Sequence, residues 1–207
     1  RAAFAEGHKA VMLYAPCGAG KTEIAVSMLD SAAKKLRRSA MVVDLKLLCA
    51  QTSARLQKYL IDHGVIQPAS PRYRPELPIQ VCMVQTLEAR GGFPAVELLV
   101  VDEAHTLRAS VIEFIQNNPR VKVVGLSGSP FTKGLANTYT SVVSAITVNE
   151  LVERGLLIQP RIFIAKQIDM AGAKKIGGER SDKEATERGI KITGDVVAEW
   201  VNKTREV

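Results

Sequence analysis

The sequence predicts an α/β domain built on a mostly parallel β-sheet with helices on both faces. Three observations carry this. Short apolar runs recur along the chain, and most are continuous rather than alternating, as strands covered on both sides are. Stretches with helical spacing separate them. A glycine-rich turn follows the first run and leads into the first helical stretch, so strands and helices alternate as they do in βαβ units.

The strand candidates are residues 10–15, 40–44, 79–84, 97–101 and 121–126, all rich in Val, Leu or Ile. Between them, residues 21–37 place Ile24, Met28, Ala32 and Leu36 near one helical face. Residues 47–63 are helix-like and stop at Gly64, read as a C-cap. Residues 107–117 carry Val111, Phe114 and Ile115 and end before Pro119. The stretch 67–78 holds four prolines and two arginines, Arg72 and Arg74, and reads as a surface loop. Beyond Pro130 the pattern changes. A short helix at 149–154 is capped by Gly155, another strand follows at 161–165, and 172–189 is a charged, glycine-containing loop. A last helix is expected over 190–205. The expected division is residues 1–170 for the main domain and 171–207 for a charged loop and helix.

Of the 207 residues, 46% are hydrophobic but only 5% aromatic, which gives an aliphatic core. A net charge of +7 and a pI near 9.4 favour polyanionic partners. The three cysteines, Cys17, Cys49 and Cys82, are widely spaced with no C-x-x-C pair, which argues against a zinc or redox motif and fits a reducing, cytoplasmic setting. No apolar run reaches the length of a membrane span, so no membrane partner is expected. The chain opens on Arg1 and is expected to belong to a longer protein.

Two segments carry chemistry. Ala15-Pro16-Cys17-Gly18-Ala19-Gly20-Lys21-Thr22 follows a strand and opens a helix, the context a Walker A phosphate loop requires. Gly18 and Gly20 let backbone wrap phosphate oxygens, and successive amides and the helix N-terminus supply positive charge. Lys21 is the candidate for the β and γ phosphates, and Thr22 for Mg²⁺. The second segment, Asp102-Glu103-Ala104-His105, puts two carboxylates at the end of a buried strand. In a parallel sheet that end faces the ligand crevice. Asp102 is placed to hold the metal, and Glu103 to orient and deprotonate a water. Together the two segments predict binding of a nucleoside triphosphate with Mg²⁺.

With these residues in hand, the chain resembles superfamily 2 helicases and translocases of the DEAH group, which includes restriction-enzyme motor subunits and phage helicases. The 15–22 segment is similar to motif I, with Ala15 where the strict pattern has glycine, and Asp102 to His105 match motif II letter for letter. Leu126-Ser127-Gly128-Ser129-Pro130 resembles motif III, more often written with Ala-Thr in the middle. Residues 42–51 resemble motif Ia, with Leu45 where relatives carry a basic residue, and Gln85-Thr86-Leu87 resembles the next nucleic-acid-contact segment. Residues 149–160 resemble the segment that closes a first motor domain.

The resemblance implies a RecA-like P-loop NTPase fold and ATP hydrolysis that drives movement on nucleic acid, DNA favoured over RNA. It implies catalytic roles for Lys21, Asp102, Glu103 and His105, and a coupling role for Ser127, Gly128 and Ser129. Lys46, Thr86 and Arg90 are the nucleic-acid candidates. A second RecA-like domain of the same protein is the expected partner, with turnover depending on it. Two other readings stay open at this level: a P-loop phosphotransferase such as a nucleotide kinase, and a non-catalytic nucleic-acid-binding module.

Overall fold

The computed structural model describes residues 2–159, 175–176, 179–180 and 200–202. The chain divides into two compact units, Arg1–Ile158 and Gln159–Val207. The first holds seven strands: β1 (Ala10–Tyr14), β2 (Ser39–Val43), β3 (Gly64–Ile66), β4 (Ile79–Met83), β5 (Leu98–Val101), β6 (Lys122–Ser127) and β7 (Ser141–Ser144). They form one sheet in the order β3-β4-β2-β5-β6-β1-β7. Every pairing is parallel.

The α-helices of this unit are α1 (Ala2–Ala5), α2 (Lys21–Ala33), α3 (Lys46–Lys58), α4 (Val84–Ala89), α5 (Ala109–Asn117) and α6 (Val148–Glu153). Successive strand residues point to opposite faces, and the core divides accordingly. Leu13, Met41, Val43, Val100 and Leu126 pack with Val26, Leu29 and Leu56 of α2 and α3. Met12, Val42, Leu99, Val101 and Val123 pack with Leu87, Val111 and Ile115 of α4 and α5. Both faces are thus covered, which is why the central strands read as continuous apolar runs.

All five expected strands are present within a residue or two of their expected ends. The strands β3 and β7 and the helix α4 were not expected. β3 has only three residues, and β7 is an exposed edge with Val142 and Val143 open to solvent. Neither carries the apolar run that marks a buried strand.

Gly64 is a correction. α3 ends earlier, at Lys58, and Leu60 takes the left-handed conformation (φ 56°) that a capping glycine would supply. Leu60 N–H donates to Gln57 O at 2.9 Å and Ile61 N–H to Leu56 O at 3.0 Å, a Schellman ending. Gly64 instead opens β3 and admits close neighbours. A Cβ there would lie 2.4 Å from both Arg74 O and Gln80 Oε1.

The helix expected at 149–154 is α6, whose Thr147 cap shares a reciprocal capping box with Glu150. Gly155 follows it at φ 68°. In the second unit, Lys175–Ile176 and Glu179–Arg180 pair as short antiparallel strands inside the stretch expected to be loop. Residues 200–202 are helical, within the expected last helix. The expected strand at 161–165 lies outside the described residues. Among the described residues no helix is long and apolar enough to cross a membrane.

Gly125 decides how closely the layers approach. A Cβ on it would lie 2.6 Å from Tyr139 Cε1 and 2.7 Å from Ala104 Cβ. Gly125→Ala should therefore lower stability by about 2 kcal/mol through overpacking. A urea-unfolding midpoint unchanged by the substitution would show that this layer yields freely.

His63 has no exposed surface. Its Nδ1–H donates to Ile61 O at 2.9 Å, which leaves Nε2 to accept from the Ser53 hydroxyl at 2.7 Å. Burial holds its pKa below the ordinary value, with the Arg72 charge adding to the effect. The unfolded chain takes up this proton near pH 6.5 while the fold resists it, so stability is complete above that pH and falls below it. The melting temperature should drop between pH 7.5 and roughly pH 5.5, and His63→Gln should flatten that slope whatever its effect at neutral pH.

Candidate functional site at the carboxyl edge of the sheet

Three neighbouring strand ends meet here. β6 lies between β1 and β5, so the segment 15–22, the Ser127-Gly128-Ser129 turn and the acidic box leave the sheet side by side. Ala15 N–H donates to Ser127 O at 3.0 Å and extends the β1–β6 ladder into the loop. Asp102 N–H donates to Val42 O at 2.9 Å and does the same between β5 and β2.

The 15–22 loop turns through two glycines with positive φ, Gly18 at 82° and Gly20 at 78°. Gly20 is the left-handed residue immediately before α2. Side chains rarely adopt these conformations, which explains glycine at both positions. Pro16 is buried, while Cys17, Gly18 and Gly20 are exposed, with Ala19 and Thr22 half-buried. The loop backbone therefore faces outward at the start of α2. Cys17 carries a free thiol, and the other cysteines are buried in the core. Burial pushes the Cys49 thiol up to about 11 and the Cys82 thiol higher still.

Lys21 opens α2, and its side chain is 15% exposed. Its ammonium lies 3.6 Å from Glu103 Oε1, across the gap between loop and box. A Cβ on Gly128 would come within 3.3 Å of the same ammonium and 3.6 Å of Ala15 O. The missing side chain at 128 is what leaves Lys21 room to stand there.

The acidic box is a bent turn rather than a regular helix start. Glu103 has φ 44° and Leu107 φ 32°, on either side of a 3₁₀ turn at Ala104–Thr106. Ala104 is buried against Gly125 and anchors the turn on β6. His105 Nδ1 lies 3.0 Å from Ser127 Oγ and 3.3 Å from Glu103 Oε2. Ser127 Oγ also accepts the Ser129 N–H at 3.0 Å. His105 and Ser127 thus join the box to the 127–129 turn.

Asp102 is half-buried. Burial first, and then the charges of Glu103 and Asp44, hold its pKa above the ordinary carboxylate value. The Glu103 amide and the Lys21 ammonium act in the opposite direction. A carboxylate in this position is stabilised by a cation brought beside it. Among the described residues no group of three or more His, Cys, Asp or Glu side chains could cage a metal alone. Mg²⁺ suits such a site, because it takes one or two protein oxygens and completes its shell with phosphate and water. Thr22, in the first turn of α2, and Asp102, just after β5, are the residues that could offer it such oxygens.

The nucleic-acid candidates separate. Lys46 is exposed and opens α3 beside the crevice. Arg90 is exposed but sits past the far end of α4, with its guanidinium 4.7 Å from the Tyr73 ring centre. Thr86 is a correction: it is 7% exposed, and its hydroxyl is covered and unpaired. It lies on the α4 face that packs with Leu87 into the core, so it is not presented to a polyanion. Sequence reading missed Leu157, which covers Gly18 with its Cδ2 3.0 Å from the Cβ position there. It also missed Arg108, whose Nε is 2.6 Å from Asp44 Oδ1. Only an acid at the carboxyl end of a predicted strand hinted at Asp44.

A parallel sheet with a glycine loop after β1, an acidic box after β5 and a serine turn after β6 defines a RecA-like domain of the superfamily 2 helicase class. Residues 1–132 match the family of the type III restriction enzyme res subunit, and the chain belongs to that family. Among solved structures it is similar to the UvsW helicase from bacteriophage T4, with TM-score 0.57 and 18% identity over 66% of this chain and 54% of that one. It is also similar to the Hef helicase domain of Pyrococcus furiosus, with TM-score 0.53 and 20% identity over 67% of this chain and 36% of that one. The chain thus spans about half of the first structure and about a third of the second. No curated protein matches in sequence.

Proposed function

We propose that this chain is the first motor domain of an ATP-driven helicase or translocase, and that it binds ATP with Mg²⁺ in the crevice between the 15–22 loop and the acidic box. The observation that carries the reading is the position of the Lys21 ammonium, 3.6 Å from Glu103 and beside the side-chain-free Gly128. The loop backbone from Pro16 to Gly20 and Lys21 hold the β and γ phosphates. Thr22 and Asp102 hold Mg²⁺, which when bound neutralises charge on the phosphates.

Glu103 orients a water for attack on the γ-phosphorus and accepts its proton. His105 and Ser127, 3.0 Å apart, link that carboxylate to the 127–129 turn and so couple the phosphate state to the rest of the domain. A second RecA-like domain supplies the arginines that stabilise transition-state charge, so turnover by this chain alone is slow. Groups of this kind change rates by roughly 10³–10⁵. The track is nucleic acid, DNA in preference to RNA, held through its phosphates at the crevice edge with Lys46 as the best-placed contact. Family membership supports this reading over a phosphotransferase or a non-catalytic module.

Two measurements test it together. Calorimetry should show ATP binding that requires Mg²⁺. Oligonucleotide affinity should fall linearly with salt on a log–log plot, as phosphate contacts require. Mg²⁺-independent ATP binding, or an affinity flat with salt, would each count against the proposal.

A further inference from the structure

Asp44 is the residue after β2, and Arg108 is the residue before α5. Their side chains meet with Arg108 Nε 2.6 Å from Asp44 Oδ1. Both are largely covered, at 32% and 23% side-chain exposure, so salt screens this pair less than a surface pair. The proposed nucleotide chemistry uses neither residue.

Their places in the chain give them a use. β2 and β5 are neighbours, with Val42 opposite Val101, so Asp44 leaves the sheet beside the acidic box. Leu45, which precedes α3, and Lys46 and Leu47, which open it, are all exposed. On the other side, the 102–108 turn contains two non-glycine residues in the left-handed region, Glu103 and Leu107. Such backbone persists where its surroundings enforce it, and it concentrates at clamps and switches. This turn is tied at both ends. Glu103 meets Lys21 and His105 meets Ser127 at one end, and Arg108 meets Asp44 at the other.

The first tie depends on nucleotide. A triphosphate on the 15–22 loop would take the Lys21 ammonium and leave Glu103 with His105, 3.3 Å away, of the two partners it has here. The second tie fixes the turn to the backbone that leads into Lys46. We propose that the Asp44–Arg108 ion pair is a positioning clasp that couples nucleotide on the 15–22 loop to a nucleic-acid phosphate backbone at the segment opening α3. The inference rests on the motor reading above and adds to it a named path. Two ligands that bias one turn must affect each other's affinity equally.

The test uses this chain, a labelled oligothymidylate and a non-hydrolysable ATP analogue with Mg²⁺. In the wild-type chain, saturating analogue should change the oligonucleotide Kd by about fivefold or more. Arg108→Gln and Asp44→Asn should each keep the analogue Kd, and the nucleotide-free oligonucleotide Kd, within about threefold while the coupling falls to about onefold. The exchanged pair, Asp44→Arg with Arg108→Asp, should restore the coupling. Where a single variant fails to melt cooperatively, Arg108→Lys and the exchanged pair carry the test.

Full coupling in Arg108→Gln overturns the clasp and leaves the motor reading standing. So does a wild-type chain that binds both ligands without coupling. A wild-type chain that does not bind the analogue overturns the motor reading, and the clasp with it.

Discussion

Lys21→Ala should weaken Mg·ATP binding by roughly a hundredfold, or about 3 kcal/mol, while leaving the fold intact. The two halves of this result have different causes. The ammonium is 15% exposed, and no other basic side chain among the described residues forms an ion pair with the acidic box from the loop side. Phosphate oxygens delivered to that loop would lose their one charge-assisted side-chain donor, and such contacts are the strong ones.

In the nucleotide-free protein the same ammonium meets only Glu103, whose side chain is 40% exposed at 3.6 Å. A single half-exposed pair at that distance contributes about 1 kcal/mol or less. The melting temperature should therefore barely move while affinity collapses, and calorimetry beside a thermal melt reads both. Affinity within about threefold of wild type would mean the loop amides hold the phosphates without Lys21.

Much of this site was legible because it is built at strand ends. The loop and the box each follow a continuous apolar run, and a parallel sheet brings the carboxyl ends of such runs to one edge. The adjacency of β1, β6 and β5 then places Lys21, Ser127 and Glu103 together, as their motifs imply.

What stayed illegible was local and irregular. Leu60, and Leu36 after α2, both have positive φ and both are 94% exposed. Helices that stop on leucine give no sequence signal, so α2 and α3 were read four or five residues too long. Gly64 then drew the capping role that Leu60 performs, when its purpose is to admit Arg74 O and Gln80. Thr86 was misplaced because motif resemblance gives position along the chain but not which face of α4 a residue occupies. The Asp44–Arg108 pair joins residues 64 apart in sequence, and no periodicity announces a contact of that kind.

Glu103→Gln should separate binding from turnover, and the measurement belongs in a longer protein that carries both motor domains. Glutamine keeps the size of the side chain and meets the same backbone requirement, φ 44°, so the turn should hold its shape. Binding should be unchanged or somewhat tighter. The carboxylate here competes for Lys21 at 3.6 Å and would face an incoming triphosphate with like charge, and the amide removes that repulsion.

Hydrolysis should fall by about 10² or more, the range a positioned general base contributes. His105 offers no simple substitute. Its Nδ1 is already engaged by Ser127 Oγ at 3.0 Å, and a proton passed to it would disturb the link from the box to the 127–129 turn. His105→Ala should therefore show the opposite signature, with basal hydrolysis largely kept and its stimulation by nucleic acid reduced. Steady-state turnover in Glu103→Gln within about threefold of wild type would place the base elsewhere and leave Glu103 as the resting partner of Lys21.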